Sequence, residues 1–221
     1  DMASNVTYAG PEIMPDTIPV FPLSGALLLP RGQMPLNIFE PRYMAMIDHA
    51  MKTDRLIGMI QPNPDKGDMR PLFSVGCVGR ITELAETGDG RYVMTLTGIA
   101  RFRIRDTVEN GAPFLQFKVD WLPFADDYTP RYGEEAVDRP SVMRALKDFA
   151  EANNVPVDWD SVKDAPNEAL VNALSMMCPY GVREKQALLE AADLKARGDM
   201  LVAITEMELA KAASGGDTPL Q

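Results

Sequence analysis

The chain has 221 residues, 46% of them hydrophobic, and a formal net charge of -10. That is enough apolar material for one good core and a second small one, so one or two domains are expected. No apolar run approaches the roughly 20 residues of a membrane-spanning helix, which disfavours a membrane partner. The charge is uneven: residues 1–120 hold 12 Lys/Arg against 14 Asp/Glu (net -2), and residues 121–221 hold 10 against 18 (net -8). Phosphate backbones are bound by clustered Lys and Arg, so nucleic acid is not an expected partner.

In chain order, residues 1–17 are polar, contain Pro11 and Pro15 and show no periodicity, which predicts a flexible leader. A β-rich region is expected over residues 18–123. Val20, Phe21 and Leu23, then Leu27 to Leu29, are apolar runs broken by Pro22 and Pro30; proline gives no ladder hydrogen bond, so these read as edge or bulged strands. A third extended piece over 36–39 ends at Glu40, and Pro41 opens a helix whose apolar face is Met44, Ile47 and Met51. Further strands are expected at 56–60, 75–84, 91–97, 100–107 and 114–121. Gly88-Asp89-Gly90 gives a hairpin signal.

A linker rich in proline and acid is expected over 124–139, a helical bundle over 140–212 and a flexible tail over 213–221. Pro140 opens the first helix, with Val142, Leu146 and Phe149 inward and Asn153-Asn154 at its end. Asn167 is read as the cap of a second, with Leu170, Val171, Leu174 and Met177 inward. A third covers 183–191, and a fourth, capped by Asp193, carries Met200, Ile204 and Met207 on one face.

Several segments carry a resemblance. PVFPL, LP and PLNIFEPRYMAMI between residues 19 and 47, then GCVGRI at 76–81, LTGIARFRI at 96–104 and EKQALLEAADLKARGDML at 184–201, together resemble the Lon protease N-terminal (LON substrate-binding) domain family over residues 18–209. The resemblance implies an α+β fold: a PUA-like, partly closed β-barrel with one helix, followed by a C-terminal helical bundle. It also implies a domain that binds unfolded or apolar polypeptide segments, or a protein partner, without cleaving them. Full-length Lon proteases add an ATPase and a Ser-Lys peptidase. A phosphate-binding loop would end in Gly-Lys-Ser/Thr, and none of the 16 glycines precedes a lysine. A free-standing, non-catalytic form without cofactor is therefore expected, while a peptidase component and an RNA reader are the alternatives that the family and barrel names raise. No basic start precedes an apolar core, so the cytoplasm is the simplest location. Whether the chain forms a homodimer is left open.

Candidate binding residues are few. Glu40 and Arg42 flank Pro41, with Glu40 suited to a helix start and Arg42 to pairing with a neighbouring carboxylate. Ile38, Phe39 and Tyr43 would line a groove beside that helix start, or fill the core. Met69 lies on the loop 61–72, which has three prolines, a glycine and four charged residues and is where a rigid barrel would carry a binding surface. Arg101, Arg103 and Arg105 alternate with apolar residues, so period two sends all three to one face. They could hold a carboxylate or phosphate, or form a solvated face partly paired with Glu83 and Glu86. His49, the only histidine, falls off the apolar helix face without spaced companions for a metal. Cys77 and Cys178 are expected as buried reduced thiols.

Overall fold

The computed structural model describes residues 6–66 and 72–215. The chain divides into two compact units, Asp1–Pro130 and Arg131–Gln221. In the first, strands β1 (Thr17–Pro22), β2 (Gln33–Ile38), β3 (Leu56–Ile60), β4 (Val75–Glu86), β5 (Tyr92–Thr107) and β6 (Leu115–Asp120) form one mixed sheet, with helix α1 (Pro41–Lys52) between β2 and β3. The order is β2-β5-β4-β3-β1-β6, and β6 also pairs with β5. The C-terminal part of β5 thus returns the sheet to β6, from Arg103 opposite Asp120 to Thr107 opposite Phe117. Its N-terminal part pairs instead with β2. The result is a partly closed barrel with β2 outside the ring, as the resemblance implies.

β1 is not an edge strand, contrary to the proline argument. It runs parallel to β3 through Val20, Phe21 and Pro22 and antiparallel to β6 through Thr17 to Val20. Pro19 therefore has a partner only in β6 and Pro22 only in β3, so each missing N–H falls on a side without a ladder. Leu27 to Leu29 form no strand, yet all three are buried; their apolar character serves packing. The two strands expected at 91–97 and 100–107 are one. Gly98, which reads as a break, lies inside β5 where a Cβ would strike the Leu29 carbonyl oxygen, so it marks a close approach of two backbones.

The barrel core gathers Ile18, Val20, Val78, Phe102, Val119 and Trp121, with Met14 from the N-terminal segment. That segment is not a loose leader over its described residues. Trp121 Nε1 donates to the Pro15 carbonyl at 2.8 Å, the Val119 N–H to that of Asp16 at 3.0 Å, and Arg80 to the Tyr8 hydroxyl at 3.0 Å. A sequence lacking periodicity folds here because the partners lie far along the chain.

The second unit contains α2 (Arg139–Ala152), α3 (Trp159–Asp164), α4 (Asn167–Met177), α5 (Val182–Glu190) and α6 (Leu194–Gly215). Helices α2, α4 and α5 each pack on α6. The face expected for α6 is displaced: Leu194, Arg197, Gly198, Leu201 and Thr205 are buried, while Met207 is 57% exposed. Two polar residues join the buried stripe because their hydrogen bonds are met inside. Arg197 donates to the Leu188 carbonyl at 2.9 Å and to Asn172 at 2.9 Å, and the Thr205 hydroxyl meets that of Tyr180 at 2.5 Å. Met177, expected to face inward, is 73% exposed at the end of α4. Asn167 is not the cap of α4, a position held by Pro166. Its side chain accepts from Arg139 at 2.8 Å and donates to the Glu134 carbonyl at 3.0 Å. The stretch read as a linker is packed, not loose. Its first part, the 3-10 segment Leu122–Tyr128, lies on β5; its second, Glu134–Ala136, lies on α4 and α6.

Helix α3 has no counterpart in the sequence reading, since six residues show no apolar stripe. Its signature is local: Asp158 caps it through the Ser161 N–H and hydroxyl, as Asp138 caps α2 through those of Ser141. Arg139 then donates to the Val162, Lys163 and Ala165 carbonyls at the end of α3, where orphan acceptors and the dipole favour a cation. The serine hydrogen bonds hold both aspartate carboxyls below their ordinary value of 3.8. A depressed folded-state pKa means that the stabilisation is full above the unfolded value and is lost as pH falls through the folded one. Asp138→Ala is expected to lower the thermal midpoint by a few degrees at neutral pH. The difference from wild type should disappear on acidification below the aspartate range, measured by circular dichroism melts across pH.

Both cysteines are buried and neither is in a disulfide; burial pushes the Cys178 thiol up. Cys77 is buried with Val75 and Ile81, in step with them as the strand register predicts, on the face of β4 opposite the barrel-core residue Val78.

Candidate functional site

In the barrel unit a groove of about 600 Å³ opens beside the start of α1. Pro41 occupies the first turn, and the Tyr43 and Met44 N–H groups both return to the Glu40 carbonyl. Tyr43 meets the Phe21 ring edge-on at 4.4 Å. The Arg42 guanidinium lies 4.8 Å from the same ring's centroid, while Arg42 Nε reaches Glu40 Oε2 at 3.0 Å across solvent-exposed side chains. The tyrosine ring thus has both an aromatic and a cationic neighbour, which favour its present orientation.

The facing wall is the β5–β6 connection, residues 107–116, together with Pro62 and Leu72. That connection is fixed from within. Asn110 Nδ2 donates to Gln116 at 2.9 Å, its Oδ1 accepts the Ala112 N–H at 3.1 Å, and the Val108 N–H reaches the Gln116 carbonyl at 2.9 Å. Gly111 sits at φ 77°, which a tight turn asks of glycine. Phe114 is braced by His49, ring centroids 5.3 Å apart, which gives that histidine a packing role. The groove's lining is therefore mixed, with Tyr43 and Phe114 as its aromatic residues, Thr107, Asn110 and Gln116 as neutral polar ones, and Arg42 and Glu109 as its charges. Its described lining contains no serine, cysteine or histidine, and no metal-holding group of three His, Cys, Asp or Glu occurs among the described residues.

The structure separates the candidates named from sequence. Arg42 and Tyr43 line the groove, and Glu40 orients Arg42. Ile38 is core, 3% exposed, so it is withdrawn as a surface residue. Phe39 is 63% exposed but lies beside Arg91, 5.8 Å from its guanidinium, and does not line the groove. Met69 lies outside the described residues. The arginine row is also corrected. Arg103 is exposed, but Arg101 is 4% exposed and bound to Asp127, and Glu83 takes the Thr95 hydroxyl at 3.0 Å. Alternation predicts direction only; the 3-10 segment after β6 covers one arginine and leaves the other in water. The 107–116 wall was missed as a site element. Its signals, Asn110-Gly111 and Pro113 before Phe114, say turn and strand, and nothing local places them against Tyr43.

Residues 17–206 match the model of the ATP-dependent protease La (LON) substrate-binding domain. The chain belongs to that family. It is similar to Lon protease 2 of Sorangium cellulosum, 27% identical over 212 residues, covering 88% of this chain and 25% of that protein. It is likewise similar to Lon protease 2 of Myxococcus xanthus, 28% identical over 199 residues, covering 84% and 23%. The LON domain thus spans about a quarter of the length of these curated relatives. In fold it is similar to the N-terminal domain of the Mycobacterium avium complex Lon protease, with TM-score 0.64 and 18% identity over 86% of this chain and 98% of that one. A Lon N-terminal domain protein from Xanthomonas campestris gives TM-score 0.59 and 20% identity over 85% and 97%. Among the described residues no helix of the LON domain is long and apolar enough to cross a membrane.

Proposed function

We propose that this LON domain recognises polypeptide segments, laying an apolar or aromatic side chain against Tyr43 in the groove between α1 and the 107–116 connection. The observation that carries the reading is the preformed groove itself, about 600 Å³ in volume, within the range of small-ligand sites. Its tyrosine is already oriented, so little side-chain entropy is lost on binding. Family membership supports the substrate-recognition role, and the net charge of -10 supports polypeptide over nucleic acid as partner. The described lining holds no serine, cysteine or histidine, and the reading is of a binding element that acts without cleavage.

Fluorescence anisotropy with labelled peptides from a denatured protein tests it. Peptides with aromatic or aliphatic residues should bind, and Tyr43→Ala should weaken them by about tenfold, ~1.4 kcal/mol. Because Tyr43 also packs on Phe21, the exposed Arg42→Ala variant serves as a second probe, expected to weaken binding severalfold without loss of fold. Equal affinity of both variants and wild type, or no binding of apolar peptides at all, sinks the proposal.

A further inference from the structure

A second cleft, of about 250 Å³, shares no lining residue with the groove. It lies where the N-terminal segment crosses β4 and β5. Arg80 and Thr82 stand two apart on β4 and so face the same way, and Thr97 is opposite Arg80 on β5. The Thr82 and Thr97 hydroxyls meet at 2.9 Å. Arg80 Nη1 donates to the Tyr8 hydroxyl at 3.0 Å. Arg31 enters from the turn after Leu29 and donates to the Asp127 carbonyl at 2.8 Å.

The charge of this cleft is unlike that of the chain. In a protein of 32 Asp/Glu and 22 Lys/Arg, its described lining holds two arginines and no acidic residue. Asp127, the nearest acid in sequence to its lining residue Tyr128, is bound to Arg101. Arg80 is half-buried, and among the described residues its guanidinium faces a neutral hydroxyl and no carboxylate. Half-buried guanidinium groups ordinarily sit on a carboxylate, since a planar fork of five donors matches two oxygens. Tyr8 uses one of these; the Thr82 hydroxyl reaches the Thr95 carbonyl at 3.3 Å and the Thr97 hydroxyl at 2.9 Å, so with Thr82 donating the Thr97 hydrogen is the one left for a ligand. Tyr128 also lines the cleft, with a buried hydroxyl that lacks a hydrogen-bond partner among the described residues.

We propose that this cleft binds a small oxyanion, a carboxylate or phosphate group, on the Arg80 fork with the Thr97 hydroxyl as a further donor. The size suits one such group, being below that of a drug-sized ligand site. The site stands whether or not the groove binds polypeptide, because it uses different residues.

The test is a titration of the full chain followed by arginine Nε and backbone amide NMR signals. The probes are inorganic phosphate, N-acetylglycine, and N-acetylglycine amide as the uncharged control. Saturable shifts at Arg80, Thr82 and Thr97 are expected with an anion and not with the amide. Tighter binding of N-acetylglycine identifies a carboxylate, such as a peptide C-terminus, as the source; tighter phosphate identifies a phosphoryl group. Arg80→Gln should weaken either anion at least tenfold, and Arg80→Lys less, since it keeps charge without the fork. Thr97→Val, which leaves both arginines in place, should weaken binding severalfold and remains informative if Arg80→Gln does not fold. No saturable shift at Arg80 with either anion, or unchanged affinity in the Arg80 and Thr97 variants, overturns the assignment.

Discussion

Replacing Arg101 by methionine is expected to reduce the unfolding free energy of the barrel unit by about 3–5 kcal/mol, the cost of stranding one charge of a buried pair. Arg101 Nε and Nη2 meet the two Asp127 carboxylate oxygens at 2.9 Å each, and the Arg101 backbone N–H adds a third bond at 3.0 Å. The Phe124 ring lies 4.5 Å from the guanidinium carbon, so side chain and cover are desolvated together. Without the guanidinium, Asp127 keeps one backbone donor of those three. Removing both charges, as Arg101→Met with Asp127→Leu, should restore a substantial part of the loss, because an ion pair exchanged as a unit for apolar groups is often near neutral. Urea unfolding of the single and double variants, analysed as a cycle, gives the coupling. A loss below about 1 kcal/mol for the single variant would show that the pair behaves as a solvated one.

Phe102→Ala should cost a similar amount, about 3–5 kcal/mol, by opening a cavity at the centre of the barrel. Phe102 is fully buried and meets Trp121 edge-on at 5.9 Å. Two glycines make room for it: a Cβ at Gly58 would lie 2.9 Å from Phe102 Cζ, and one at Gly76 would lie 2.6 Å from it. Gly58→Ala should therefore destabilise the wild type, yet destabilise Phe102→Ala far less, since the methyl group then enters the vacated space. The Ile18 Cδ1 contact at 2.8 Å is one a flexible side chain can relieve. Thermal or urea unfolding of the four proteins measures this non-additivity. Additive losses would mean that ring and glycine do not share one volume.

The same two residues show where sequence and structure part. Phe102 and Arg101 are neighbours on one strand, and alternation correctly sent Phe102 inward. It also sent Arg101 outward, which is true of the strand but not of its environment, because Asp127 arrives from 26 residues later. Arg103, read the same way, is in water. The groove divides likewise: Arg42 and Tyr43 were marked by Pro41 and the helix it opens, whereas the 107–116 wall carried only turn signals. Asp138, Asp158 and Asp193 cap helices through donors three residues on. Asp193 was legible from its position; Asp158 was not, because the helix it starts is too short to show a stripe.

By itself the sequence determined the family, the barrel-then-helices order, the central span of each long strand and helix, and the acidic character that disfavours nucleic acid. These follow from period-two and period-3.6 patterns, caps and turn residues, all interactions within a few positions along the chain. Tertiary structure alone decided that β1 is interior and β5 unbroken, that α6 buries Arg197 and Thr205 in place of Met207, that Arg101 is core, and that Arg80 and Tyr43 stand at separate clefts. Each of those outcomes depends on a partner brought from far along the chain, and burial or a satisfied hydrogen bond across such a distance leaves no local period to read.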